Sequence, residues 1–105
     1  MSGSVGDPRD VQSVSQLVRK VKTALDRSFD RVWVKGEISN FRAYGSGHWY
    51  FTLKDGDAQL KAAMFGRDNR RLRFRPKDGD EVLARGRIDV YQQRGDLQFL
   101  SLIHI

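Results

Sequence analysis

The chain has 105 residues, with nineteen Lys and Arg against thirteen Asp and Glu, a net charge of +6 and a pI near 10.1. That length supports one small domain with a modest core, and 39% hydrophobic residues suits a globular fold. The lack of cysteine excludes disulfides, zinc fingers and thiol nucleophiles, and no apolar run approaches the roughly 20 residues of a membrane helix.

Residues 1–12, with glycines, a proline and mixed charges, read as a flexible leader. The segment has no apolar signal-peptide core. A helix is predicted next, over SVSQLVRKVKTALDR. Val14, Leu17, Val18, Val21 and Leu25 share one face at helical spacing. Ser13 and Gln16 have the spacing of a capping box, which fixes the helix start. Arg19, Lys20, Lys22 and Arg27 lie on the other face and read as a solvated surface.

At Val32 the period changes to two. In VWVKGEIS, Val32, Val34 and Ile38 face one way, and Trp33, Lys35 and Glu37 the other. HWYFTLKD is a second strand, with Trp49, Phe51 and Leu53 on one side. After the Asp55-Gly56-Asp57 turn, AQLKAAMF is a third, with Leu60, Ala62 and Met64 inward. A polar connector follows from Gly66, with one short helical turn, and ends at Pro76 and the Asp78-Gly79-Asp80 turn. EVLARGRIDVYQ is a fourth strand and DLQFLSL a fifth. Gly36 and Gly86 sit inside strands one and four, where glycine marks a bend or bulge. Five short strands with these bends and a leading helix match an all-β, five-stranded OB-fold barrel. The helix is expected to lay its apolar stripe across one open end. An SH3-like barrel is the alternative, and it leaves the connector and the helix less well explained.

A small barrel buries every second side chain. With Val34, Phe51, Leu53, Leu60 and Met64 inside, the outward set is Trp33, Lys35, Tyr50, Thr52, Lys54, Gln59, Lys61 and Phe65. It interleaves one aromatic from each of three strands with three lysines. Flat rings can stack bases and cations can hold phosphates. Any one of these aromatics alone reads as packing; three on one face with lysines between them favour binding. The loop FRAYGSGH adds Arg42, Tyr44 and His48, and QQRG adds Arg94. Those two loops flank the usual OB cleft. The connector from Arg67 to Lys77 holds six basic residues against one acid and reads first as a solvated face, second as an auxiliary backbone contact.

Catalysis finds no support in these residues. Asp55/Asp57 and Asp78/Asp80 each enclose a turn glycine, so they read as turns rather than metal pairs. His48 and His104 are the only histidines, and no patterned acid accompanies them. No cofactor and no metal is therefore expected.

VWVKGEISNFR, SGHWYFTLKD, MFGRDNRRLRF and ARGRIDVYQQRGD together resemble the N-terminal domain of the exodeoxyribonuclease VII large subunit family, as does the SVSQL helix. The resemblance covers Ser13 to Phe99 and delimits residues 13–99 as the domain. It implies an OB-like nucleic-acid-binding domain in a cytoplasmic enzyme that degrades single-stranded DNA and pairs a large subunit with several small ones. No membrane partner is expected, since no apolar run is long enough to span one. The family's large subunit continues into a catalytic domain with no matching positions here, so no catalytic residue is carried over. Residues 100–105, LSLIHI, depart from the family. They are what CTGTCTCTTATACACATC, a sequencing-library adapter, encodes in one frame. A gene fragment read into adapter is the expectation, which the parent DNA checks. The leading function is thus single-strand DNA binding that feeds a nuclease domain outside this chain. A free-standing single-strand DNA or RNA binder and a protein-interaction barrel are the alternatives.

Overall fold

The computed structural model describes residues 8–72, 74–91 and 93–104. Most of the expected leader, residues 1–7, lies outside them, as does residue 105; Pro8–Asp10 forms a short 3-10 turn. Helix α1 spans Val14–Ser28. Its start is fixed reciprocally. The Gln16 N–H donates to Ser13 Oγ at 3.1 Å, and the Ser13 N–H donates to Gln16 Oε1 at 2.8 Å. These bonds satisfy two donors that a helix end otherwise leaves orphaned.

Five strands follow: β1 Val32–Ala43, β2 Trp49–Lys54, β3 Gln59–Met64, β4 Glu81–Tyr91 and β5 Asp96–His104. A one-turn helix, α2 Gly66–Asn69, opens the connector after β3. The strands close as β1-β2-β3-β5-β4, with β3 and β5 parallel and the other pairs antiparallel. This is the five-stranded OB barrel expected from the sequence. Alternation fills its interior: Ile38, Trp49, Phe51, Leu53, Ala62, Met64, Val82, Ala84 and Phe99 are buried together. Val32, Val34 and Leu60 pack around them. β5 runs on past Phe99, and Leu100 and Ser101 are also buried.

β1 does two jobs. Residues Val32–Glu37 pair with β4, and Glu37–Ala43 pair with β2. The strand must bend to serve both, and Gly36 lies just before the handover at Glu37. A second constriction sits where β4 meets β5. The pairing slips between Arg85 and Gly86, leaving an extra β5 residue in the ladder. There the Leu100 carbonyl occupies the space a Gly86 Cβ would take.

α1 departs from expectation. None of its residues is buried, and Val14, Leu17 and Val21 of the apolar stripe stay exposed. It rests on β4 with Val18, Leu25 and Lys22 half-buried. Lys22, expected to be solvated, turns to the barrel and donates to Asp89 Oδ1 at 2.6 Å. Arg87 bridges Asp26 at 3.9 Å and Asp89 at 3.4 Å. The Ile88 N–H donates to the Phe29 carbonyl at 3.0 Å. The physical reason is that the barrel fills its interior from its own strands, so the helix is held by a polar clamp instead.

That clamp predicts a pH dependence. Partial burial pushes the Asp89 carboxyl up, but the Lys22 hydrogen bond, the Val90 N–H and the charges of Lys22 and Arg87 outweigh it and hold it below the usual range. A depressed folded value means the stabilisation is complete above the ordinary carboxylate pKa and lost as pH falls through the folded one. With Lys22 part-exposed to screening solvent, the pair is worth about 1 kcal/mol. Asp89→Asn should loosen α1 by that amount at pH 7. In an NMR titration, α1 amide shifts of the wild type should converge on those of the variant only below the carboxylate range. Convergence at neutral pH would sink the clamp.

Candidate nucleic-acid interface

A groove of about 560 Å³ crosses the outer face of the barrel between the β1–β2 and β4–β5 loops. Its floor follows from register. Arg42 of β1 lies beside Tyr50 of β2, and Thr52 lies between Ser39 of β1 and Lys61 of β3. Tyr50 and Thr52 therefore share a face with a cation on each side. Gln98 and Asp96 of β5 continue the floor, and Tyr91 and Arg94 form the far wall.

A bulge aims Arg42 into this groove. The β1–β2 pairing slips between Ser39 and Arg42, and Asn40 has a φ of 53°. Few side chains accept that left-handed conformation, and asparagine is among those that do. Strict alternation from buried Ile38 would send Phe41 outward and Arg42 inward. The extra residue reverses both. Phe41 turns back over the core, with its ring 5.4 Å from Trp49 and 6.3 Å from Phe51. Its N–H donates to Asp78 Oδ1 at 2.8 Å, which pins the bulge to the far turn.

The walls are loops held at their bases. The Tyr44 N–H donates to the His48 carbonyl at 3.0 Å, closing the β1–β2 loop, and the Tyr44 ring meets Tyr50 edge-on at 5.3 Å. Across the groove, the Arg94 and Gly95 N–H groups both donate to the Tyr91 carbonyl. The Arg94 guanidinium sits 5.7 Å from the Tyr91 ring centre. Arg42, Lys61 and Arg94 have no carboxylate within ion-pair distance among the described residues. Asp96 is the one acid lining the groove among them. Three uncompensated cations and three tyrosines around a shallow trough suit a chain of flat rings joined by phosphates.

Of the ten residues expected to bind, the structure gathers Arg42, Tyr44, Tyr50, Lys61 and Arg94 here. The other five stand elsewhere. Trp33 is 53% exposed but lies opposite Arg85, on the β1–β4 side. Lys35 pairs with Glu81 at 3.4 Å and Lys54 with Glu37 at 3.8 Å. His48 and Phe65 meet edge-on at 5.2 Å, and His48 Nδ1 accepts the Gly66 N–H at 3.0 Å. Together with Asn69, which donates to the Gly47 carbonyl at 2.7 Å, they fasten the loop to α2. The sequence reading left out Asn40, Tyr91 and Gln98, and had Thr52 on the outward face without a binding role. Tyr91 was within reach: it follows inward Val90 at the mouth of a loop already marked.

The acidic pairs are turns. Asp55 Oδ1 accepts from the Asp57 and Ala58 N–H groups, which hold its pKa below the ordinary value. Asp80 Oδ2 accepts the Lys77 N–H at 3.0 Å. Among the described residues no three His, Asp or Glu converge to hold a metal. No described helix is long and apolar enough to cross a membrane.

Residues 12–102 match the family model described as an OB-fold nucleic acid binding domain. The chain belongs to that family. The OB domain is 51% identical to the exodeoxyribonuclease 7 large subunit of Geobacter metallireducens over 90 residues, 86% of this chain and 20% of that protein. The same subunit from Klebsiella pneumoniae is 51% identical over 88 residues, 84% of this chain and 19% of its own length. The chain thus spans about one fifth of the curated relatives it matches. Among solved structures, the S. pombe Stn1–Ten1 complex aligns with a TM-score of 0.59 at 18% identity, over 71% of this chain and 56% of that one. That likeness concerns the fold of the OB domain.

Proposed function

We propose that this OB domain binds single-stranded DNA across the Tyr50 groove and presents it to a nuclease domain in a cytoplasmic exodeoxyribonuclease VII large subunit. In that parent the large subunit assembles with small subunits. The observation that carries the reading is the gathering of Tyr44, Tyr50 and Tyr91 around Arg42, Lys61 and Arg94, which have no carboxylate within ion-pair distance among the described residues. The relatives' names support the nuclease context. Bases lie on the tyrosines and phosphates on the cations, and stacking on a ring face is tolerant of sequence.

Salt-titrated binding of labelled oligonucleotides tests this. Single strands should bind better than duplex. Three phosphate contacts give a log–log salt slope of about −2 for a single strand. An affinity indifferent to salt, or a preference for duplex, would remove the groove as the site.

A further inference from the structure

Residues 40–44 face two ways. Asn40, Arg42 and Tyr44 line the groove, whereas Phe41 and Ala43 line a shallow cleft on the other side of the same β1 rim. Arg75, Pro76, Lys77 and Asp78 of the connector complete that cleft. The Arg75 guanidinium lies 6.0 Å from the Phe41 ring centre and has no carboxylate partner among the described residues. Lys77 is 83% exposed in its side chain and only loosely paired with Asp80, at 4.0 Å. Asp78 contributes the cleft's acid, but its Oδ1 is engaged by the Phe41 N–H.

The cleft is also rigidly joined to the groove. The Gly79 N–H donates to the Ile38 carbonyl and the Ile38 N–H to the Asp80 carbonyl, each at 2.8 Å. With the Phe41–Asp78 bond, three hydrogen bonds tie the end of the connector to the strand that carries Arg42. The segment that carries the two cations is therefore anchored beside β1, just over the rim from the groove's own cations. A polyanion leaving the groove past Tyr44 meets them next.

We propose that Arg75 and Lys77 form a second phosphate-binding site, which holds the backbone of a single strand as it wraps over the β1 rim out of the Tyr50 groove. This rests on the groove reading above. The site extends the path beyond the groove and gives the basic connector a defined part in it. It takes backbone phosphate and makes no demand on base identity.

The test compares salt slopes for one oligothymidylate of about 16 nucleotides, the upper end of what one OB fold covers. Arg75→Ala/Lys77→Ala should bind with a slope shallower by about 1.4, since each single-strand phosphate contact contributes about 0.7. Between about 50 and 200 mM salt the wild type then loses about sevenfold more affinity than this variant. Arg19→Ala/Lys20→Ala, which removes the same charge from α1, should leave the slope unchanged. Because Arg75 touches Phe41, Lys77→Ala alone supplies a variant outside that contact, with an expected change of about 0.7. An unchanged slope in both cleft variants overturns the second site while leaving the groove intact. So does an equal change in the α1 control, which reduces the effect to net charge. A wild type that binds no single strand at low salt defeats the groove reading itself, and this proposal with it.

Discussion

Phe51→Ala is expected to cost about 3–5 kcal/mol of stability, the usual toll for emptying a buried aromatic site. A domain of this size has about 5–15 kcal/mol in total, so much of the population should be unfolded at modest denaturant. Phe51 is 4% exposed and lies in the middle of β2, against Phe41 and between its neighbours Trp49 and Leu53. Its neighbour Tyr50 should behave in reverse. Tyr50 is 37% exposed, with Tyr44 edge-on beside it and the groove in front. Tyr50→Ala should leave the melt nearly intact and weaken oligonucleotide binding by about 1–3 kcal/mol, the worth of one stacked base. Paired melts and titrations decide it. If the tyrosine variant unfolds and the phenylalanine variant still melts like wild type, the inward and outward faces of β2 are exchanged and the groove loses its floor.

Gly86→Ala should be the most damaging single-methyl change in the barrel. The added Cβ would overlap the Leu100 carbonyl oxygen and come within 2.9 Å of its carbon and 3.0 Å of Phe99 Cζ. Overpacking in a core usually costs about 1–3 kcal/mol because side chains can shift aside. Here the obstacle is backbone, so about 3 kcal/mol or more is expected. Gly45→Ala is the control, since a Cβ there meets nothing within 4 Å. Its effect should stay within about 0.5 kcal/mol. Urea midpoints compare the two. Equal midpoints would mean that β5 does not run against Gly86 as described.

The strands and the core were legible because burial in a small barrel imposes a period of two, which β2 keeps without interruption. In β3 the expected Ala62 and Met64 are buried, but Ala63 between them is buried too, where Leu100 of β5 pairs beside it. The groove was half legible for a different reason. Trp33 and Tyr50 look like neighbours when β1 is taken as one straight strand beside β2. The handover at Glu37 gives Trp33 to β4 instead. The bulge at Asn40 carries no glycine, so nothing local announced that Phe41 and Arg42 exchange sides. Lys35 and Lys54 were sound as outward residues, but the sequence does not say that Glu81 and Glu37 neutralise them. The helix was read correctly from its cap to its end. Its docking was not, because an apolar stripe states what a helix could bury and leaves open whether any surface is free to receive it.

The divided pairing of β1 also sets an order of events. Its first half has no strand partner until β4 exists, with Val32 waiting for Gly86, and β3 pairs with β5 through Ala62–Phe99 and Ala63–Leu100. A chain emerging from the ribosome can therefore form the β1–β2–β3 meander early, but cannot seal it until nearly the last strand is out. Until then Ile38, Phe51 and Met64 face water. Barrels with such distant pairings fold in about milliseconds to seconds, slower than helical bundles of like size. For this domain, synthesis of the final strand is the step that turns an open, sticky sheet into a closed barrel.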